Sequence, residues 1–535
     1  MSVAVREQVR DSARYLREVR PIDPEEVAAY VEGGAHPAVV RRVLREEAFA
    51  LGLVERPDGT FVPVPDGPLV PGEGGAPAFD GVDALPAAHD RRLADLLAER
   101  FGPDWAEGES GGRLRNRLRE LKAAYFRGGA SEVTYDEVTA LAYAVYHLAD
   151  FYAATQYVLH ELGGDGLLDR RLRVLDVGAG VGGPALALHD YCLGGPGIAE
   201  GDDREDDHAP PARVEYHALE PGGGAGVLDA LLAETGENFR ATVHETRVEE
   251  FDPAKALGGA PGGAEGVGDA PADADAQFDL VLFANVLSEL DAPVDAVRDA
   301  LDWLAPEGTV AAVAPADLET ATGLRAVERE VVGAGDAAAY APTAWLWPNR
   351  DPTDRGWSFD RQPPIAEPET QRRLAAPADH PEEVTNTSVK FAYTLLRPDY
   401  ERRHDVTLTR ERAIPLGDAD EVVTDRVDLV VSKLSRDLRA VTEADAADEP
   451  SVEAGNPIFK VGDGSESVEC YAVLVQEGML NEGLRAAGYG AILAMENALV
   501  LWNDDEGAYN AVVDEETVVD VVGRGAPYYG TSSGQ

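Results

Sequence analysis

The sequence predicts an α/β protein: a doubly wound, mostly parallel sheet, preceded by a helical region and followed by a β-rich one. Three observations carry this. Between 172 and about 317, apolar strand-like runs alternate with helical segments, the pattern of a parallel sheet with helices on both faces. One run, VLDVGAGVGG at 174–183, breaks into glycines and then into a helix. After 400 the texture changes to short apolar runs separated by turn residues.

Residues 1–70 read as helices that turn extended, with a helix, a strand, an Asp58–Gly59 turn and a second strand inside 45–65. That order is winged-helix-like, and a small packing subdomain reads the same way. A Pro/Gly linker at 65–81 leads to a helical region at 82–165. Within it, 113–129 gathers Arg113, Arg115, Arg117, Arg119, Lys122 and Arg127. On a helix these do not share one face. They read as an ion-paired surface or as contacts to RNA phosphates. The apolar, aromatic segment 140–162 is expected to pack beneath the next domain.

That domain is expected over 166–400, with strands at 173–177, 214–219, 241–247, 278–284 and 308–314. Val174, Leu175 and Val177 form the first strand; Gly178, Gly180, Gly182 and Gly183 allow a tight turn, and Pro184 suits a first helical turn. In such sheets the ligand lies beyond the carboxyl ends of the strands. Asp176 stands directly before the loop, where an acid suits a cationic or amino-acid-bearing cofactor better than a pyrophosphate. Glu220 closes the second strand, where a carboxylate can accept both hydroxyl hydrogens of a ribose. It lies farther along than the usual ~20 residues, and the acidic Gly/Pro/Ala-rich insertion 194–212 accounts for the excess. A second insertion of that kind, at 253–276, reads as a surface loop.

Loop, second-strand acid, FDLVLFANVLSEL and LAPEGTVAAV together resemble a Rossmann-like class I S-adenosylmethionine-dependent methyltransferase domain. The resemblance implies S-adenosylmethionine as cofactor, held by Asp176, Gly178, Ala179, Gly180, Gly182, Glu220 and Asn285. Glycines kept only for close packing are the bland alternative. The Asn/Asp-Pro-Pro-aromatic tetrad of base amino methyltransferases is replaced by Ala284-Asn285-Val286-Leu287. Neither Cys192 nor Cys470 is placed as the nucleophile that cytosine C5 methylation needs. Asn285 and Glu289, with Ser288 nearby, are the candidate catalytic groups; helix-cap and surface roles compete.

Residues 401–535 read as β-meanders, expected to form a small barrel, and an acidic linker is read near 442–456. The chain carries 98 acidic against 47 basic residues, a formal net charge of −51, and its lysines are only Lys122, Lys255, Lys390, Lys433 and Lys460. Acid excess spread over a folded chain suggests a halophilic protein. In concentrated salt the screening length falls to about 3 Å, and surface carboxylates maintain hydration. Two cysteines exclude a disulfide framework and an all-cysteine metal site within one chain. With no signal peptide and no apolar run of about 18 residues, a cytoplasmic protein without a membrane partner is expected.

Several segments taken together resemble a narrower family. YFRGGASEVTYDEVTALAYAVYHLADFYAATQYVLHEL at 125–162, LDVGAGVGG, FANVLSEL at 283–290, Trp357-Ser358-Phe359 and Val389-Lys390-Phe391-Ala392-Tyr393 resemble the methyltransferase-like family associated with the mitochondrial ribosomal small subunit. That family also has bacterial and archaeal members, and an archaeal-type member is the nearest description. The resemblance covers about 125–400 and implies action on, or assembly of, the ribosomal small subunit or its RNA. Two departures stand out. Ser358 stands where cluster-bearing members place a cysteine, so no iron–sulfur cluster is expected and Trp345, Trp347 and Trp357 should fill its volume. His147-Leu148-Ala149-Asp150-Phe151-Tyr152 replaces the family's Arg-x-Pro-Ala-Thr-Tyr element. The alternatives to an active rRNA or ribosomal-protein methyltransferase are an inactive RNA-binding assembly factor and, behind it, a small-molecule methyltransferase.

Overall fold

The computed structural model describes residues 3–32, 34–126, 135–194, 210–233, 235–258, 277–439 and 455–530. The chain divides into two compact units, one of residues 1–284 with 364–388, the other of 285–363 with 389–535. Each unit is built from two separate stretches of the chain. Most of the insertions 194–212 and 253–276, and of the linker 442–456, lies outside the described residues.

The first unit begins with α1 (Val3–Leu16), α2 (Pro24–Tyr30), α3 (Pro37–Leu51) and the antiparallel hairpin β1 (Leu53–Glu55) and β2 (Phe61–Pro63). Pro37 opens α3, and Gly52 ends it at φ 61, its N–H returning to the carbonyls of Ala48 and Phe49. Val9, Ile22, Val40, Val43, Leu44 and Phe61 close a small core, the helix-then-hairpin order expected from 45–65. Three helices follow: α4 (Ala87–Phe101), α5 (Gly108–Phe126) and α6 (Glu137–Gly164). Asp136 caps α6 by accepting from the Thr139 N–H at 2.8 Å. Beyond that turn α6 is apolar on nearly every side and buried along most of its length, as the pattern at 140–162 requires.

The sheet of this unit is parallel, in the order β5 (Phe239–His244), β4 (Arg213–Leu219), β3 (Arg171–Val177), β6 (Phe278–Ala284). The helices between the strands are α7 (Gly183–Leu193), α8 (Gly224–Leu232) and α9 (Pro253–Gly258). The order reverses beside β3, so the loop after β3 lies at a switch point of the sheet, where a ligand crevice forms. Gly183 lets α7 approach α6 closely: a Cβ there would stand 3.1 Å from the Phe151 Cβ and 3.2 Å from the Leu148 carbonyl.

The second unit holds α10 (Pro293–Trp303), β7 (Leu304–Pro315), α11 (Leu318–Ala334), β8 (Ala338–Ala341), β9 (Asp360–Gln362) and β10 (Val389–Arg397). Strand β10 pairs antiparallel with β7, β8 and β9. The C-terminal strands are β11 (Arg426–Lys433), β12 (Ile458–Gly462), β13 (Cys470–Leu474), β14 (Ile492–Asn503), β15 (Ala508–Val513) and β16 (Val518–Gly523). Their order β11-β12-β13-β15-β14 is closed by a β11–β14 pairing, and β16 adds to β14. This is the barrel expected after 400. It has one parallel pair, β13 with β15, and a core of Leu429, Val431, Phe459, Val461, Ala472, Leu493 and Val513.

The surroundings of Ser358 correct one expectation. Trp345 lines the same cavity, but what meets the Ser358 hydroxyl is a guanidinium. Ser358 is buried and accepts from the Arg325 Nε at 3.0 Å, within a network that joins Arg325 to Glu328, the Tyr393 carbonyl and the Tyr489 hydroxyl. Trp347 donates its indole N–H to Asp463 at 2.7 Å, and Trp357 donates to the Ala316 carbonyl at 3.0 Å. A buried arginine needs acceptors on every N–H, and a serine hydroxyl supplies one that tryptophan cannot. Cys192 and Cys470 are buried free thiols, and burial pushes Cys192 up to about 12.

Candidate functional site: the glycine loop after β3

Strand β3 ends at Val177, and the chain turns through Gly178, Gly180 and Gly182 at φ 68, 55 and 91 before α7 begins. Such angles favour glycine at each of the three positions. The loop is tied to β4: the N–H groups of Gly178 and Ala179 both donate to the Leu219 carbonyl, at 2.9 and 3.1 Å. A Cβ at Gly180 would meet only the Gly178 carbonyl, at 3.9 Å, so the loop backbone is open on that side.

Glu220, one residue past β4, closes this loop. Its Oε2 accepts from the Gly180 N–H at 3.0 Å and its Oε1 from the Gly222 N–H at 3.0 Å. Each carboxylate oxygen offers about two lone-pair sites, so the group can carry amides and a ribose hydroxyl pair together. Gly223 continues the cradle, its N–H donating to the Tyr135 carbonyl at 3.0 Å. Glycine at Gly224 keeps this turn close: a Cβ there would stand 2.9 Å from the Gly180 carbonyl.

Asp176 occupies a different place from the one its neighbourhood suggested. It lies beneath the loop at 0% exposure, and its Oδ2 accepts from the Tyr216 hydroxyl at 2.5 Å. Its Oδ1 is buried and has no hydrogen-bond partner among the described residues. Burial pushes its pKa up to about 7; the Tyr216 hydrogen bond opposes the shift and the charge of Glu220 adds to it. Tyr216 was not singled out from sequence. It faces inward on β4 in register with Val174, and aligning the two parallel strands would have placed it two residues before the level of Asp176.

The shift has a measurable consequence. The folded pKa of about 7 lies above the ordinary 3.8, so between those values the folded chain holds a proton the unfolded chain has lost. Stability therefore falls as pH rises through that window. Asp176→Asn keeps the acceptor for Tyr216 and abolishes the titration. Its unfolding temperature is expected to exceed that of the parent at about pH 8 and to match it at about pH 4. Thermal melts across that range check this; an equal difference at both ends contradicts it.

The candidate catalytic residues belong to the second unit. Asn285 follows β6 directly, at φ 62, and its N–H donates to the Val313 carbonyl at 2.8 Å. Asparagine tolerates this left-handed conformation better than most residues. Ser288 and Glu289 lie exposed in the short 3₁₀ turn Leu287–Glu289. Asp150, in the substituted HLADFY element, accepts from His147 at 3.1 Å and from Asn386 at 2.8 Å, and His147 stacks on Phe151. Among the described residues no group of three or more His, Cys, Asp or Glu converges as a metal site.

The basic segment of α5 is largely engaged within its own unit. Arg115 donates to the carbonyls of Ala106 and Leu374, Arg117 pairs with Glu120 and Asp136, and Arg119 pairs with Glu383. Lys122 donates to the Glu383 carbonyl and lies 4.0 Å from the centre of the Tyr146 ring. Arg113 is exposed, and Arg127 lies outside the described residues.

Two family models match the chain: the "Domain of unknown function (DUF8157) N-terminal domain" over residues 6–57 and the corresponding C-terminal domain over 417–522. No curated protein matches. Solved structures similar to the chain include several methyltransferases and a [4+2]-cyclase, SpnF, at 14% identity over 43% of this chain and 75% of that one, TM-score 0.22. One is an O-methyltransferase from neocarzinostatin biosynthesis, solved with S-adenosylmethionine, at 16% identity over 74% of this chain and 97% of that one, TM-score 0.28. Another is an O-methyltransferase family protein from Burkholderia thailandensis, at 13% over 58% and 75%, TM-score 0.25. A third is a putative RNA methyltransferase from Pyrococcus horikoshii, at 12% over 46% and 82%, TM-score 0.25. No described helix is long and apolar enough to cross a membrane.

Proposed function

We propose that the first unit binds S-adenosylmethionine at the loop 178–182 and that the protein is a methyltransferase. The observation that carries this is Glu220, a carboxylate at the end of β4 held against the Gly180 N–H of a glycine loop at the sheet's switch point. The residues fit the cofactor: the backbone at Gly180 is open to a ligand, and the carboxylate is the acceptor that ribose hydroxyls need. Bound there, S-adenosylmethionine would supply an electrophilic methyl group on a sulfonium.

The chain's own residues have separate tasks. Glu220 positions loop and ribose together. Asp176, sealed beneath the loop with Tyr216, acts on the cofactor only through the loop and is a positioning residue. Asn285 and Glu289 stay the candidates for the acceptor side. The ribosomal small subunit as acceptor rests on the sequence resemblance at 125–162, 175–183, 283–290, 357–359 and 389–393 alone.

Incubation of the purified protein with methyl-labelled S-adenosylmethionine and small subunits from cells lacking the gene tests acceptor and activity together. Label in the RNA or a ribosomal protein supports the enzyme. Tight cofactor binding with no transfer supports the assembly-factor reading instead.

A further inference from the structure

At the end of the sheet opposite the glycine loop, the first residues of β4 and β5 help to line a groove of about 440 Å³. Its walls include Arg42 and Arg45 of α3, Arg213 at the start of β4, Arg240 on β5, and the apolar Leu232 and Phe239. Four arginines around one groove is unexpected in a chain of net charge −51. Two of them are neutralised: Arg45 by Glu55 and Glu237, each at 2.6 Å, and Arg42 by Glu46 at 2.9 Å. The other two are not. Among the described residues, Arg213, 1% exposed, donates only to backbone, to the carbonyls of Glu237 and Arg45, and its buried Nε has no partner. Arg240 donates to the Glu46 carbonyl at 3.2 Å and, among the described residues, makes no ion pair. Among the described residues the remaining acid of the wall is Asp229, which is exposed.

A buried guanidinium with a like charge beside it and no carboxylate in contact is costly unless an anion completes it. Burial, with the charge of Arg240, lowers the Arg213 pKa to about 10, and the charges of Glu215, Glu55 and Glu237 oppose the shift without cancelling it. The volume lies in the range of small-molecule sites, and the Leu232–Phe239 wall provides apolar surface for an organic body. Planar guanidinium forks match phosphate oxygens better than any other side chain does.

We infer that this groove is a binding site for a small phosphate monoester, with Arg240 on the phosphate, Arg42 at its mouth and the buried charge of Arg213 behind them. The inference does not depend on the methyltransferase reading, because the site uses the opposite ends of the strands.

Ribose 5-phosphate is the probe, since it lacks the adenine that the glycine loop could capture; ribose and inorganic phosphate are its controls. Calorimetric titration is expected to show ribose 5-phosphate binding at least about ten-fold tighter than ribose. Arg240→Gln and Arg42→Gln should each weaken it by about ten-fold, the scale of one lost charge-assisted hydrogen bond. Both side chains lie at the surface of the groove, so ligand-free melts of the variants should match the parent, and Gly180→Asp should bind the probe normally. No binding, or affinity unchanged in the Arg42→Gln/Arg240→Gln double variant, overturns the site. Binding confined to a single-stranded oligonucleotide overturns its assignment to a small ligand.

Discussion

Gly180→Asp is expected to fold and to lose S-adenosylmethionine binding completely. The native φ of 55 is left-handed, so any side chain there is strained, by about 1–2 kcal/mol. Aspartate is among the residues that tolerate such angles best, and the open side of the loop leaves room for it. Its carboxylate, however, would stand where the ligand approaches and next to Glu220, which is held by the Gly180 N–H itself. Gly180→Asn separates the two causes, because it fills the same space without the charge. Calorimetry should show no detectable heat with Asp and partial affinity with Asn. Unchanged affinity in both would remove the loop from the cofactor site.

Arg325→Met is expected to cost the second unit about 3–5 kcal/mol of stability, the scale for a buried ion pair that loses one partner. Arg325 and Glu328 are 3% and 2% exposed, so the remaining carboxylate cannot turn to water. The substitution also strips a donor from Ser358 and from the Tyr393 carbonyl, which Arg325 meets at 2.6 Å. Thr343 still donates to Glu328 and offsets only part of the loss. The double variant Arg325→Met/Glu328→Met should recover much of the stability, since it leaves no unpaired charge. Denaturant unfolding measures both; a loss under about 1 kcal/mol in the single variant would contradict the account of the network.

What could be read from the sequence follows from which interactions are local. The run 278–284 is observed as a strand over the same residues, and 173–177 and 214–219 lie within observed strands, because apolar runs bounded by turn residues are a local signal. The glycine loop was legible for the same reason: its φ angles need glycine, and glycine appears in the sequence. The partners of its acids were not. Whether Asp176 faces the ligand or the interior depends on Tyr216, 40 residues away across a parallel pairing. At Ser358 the sequence shows a missing cysteine but not the guanidinium of Arg325, 33 residues earlier, that bonds to it. Of the basic block at 113–127, Arg117 pairs with Glu120 inside the segment, but its second partner Asp136 and the Arg119 partner Glu383 come from other segments. Arg213 and Arg240 drew no attention in the sequence, since single arginines at strand starts carry no pattern.

The central claim is that Glu220 and the loop 178–182 form an S-adenosylmethionine site. Its most direct measurement is calorimetric titration of S-adenosylmethionine into the full chain and into Glu220→Gln, which loses the charge but keeps the size. The account predicts one site per chain in the parent and an affinity lower by about ten-fold or more in the variant. No binding to the parent, or equal binding to both, would contradict it.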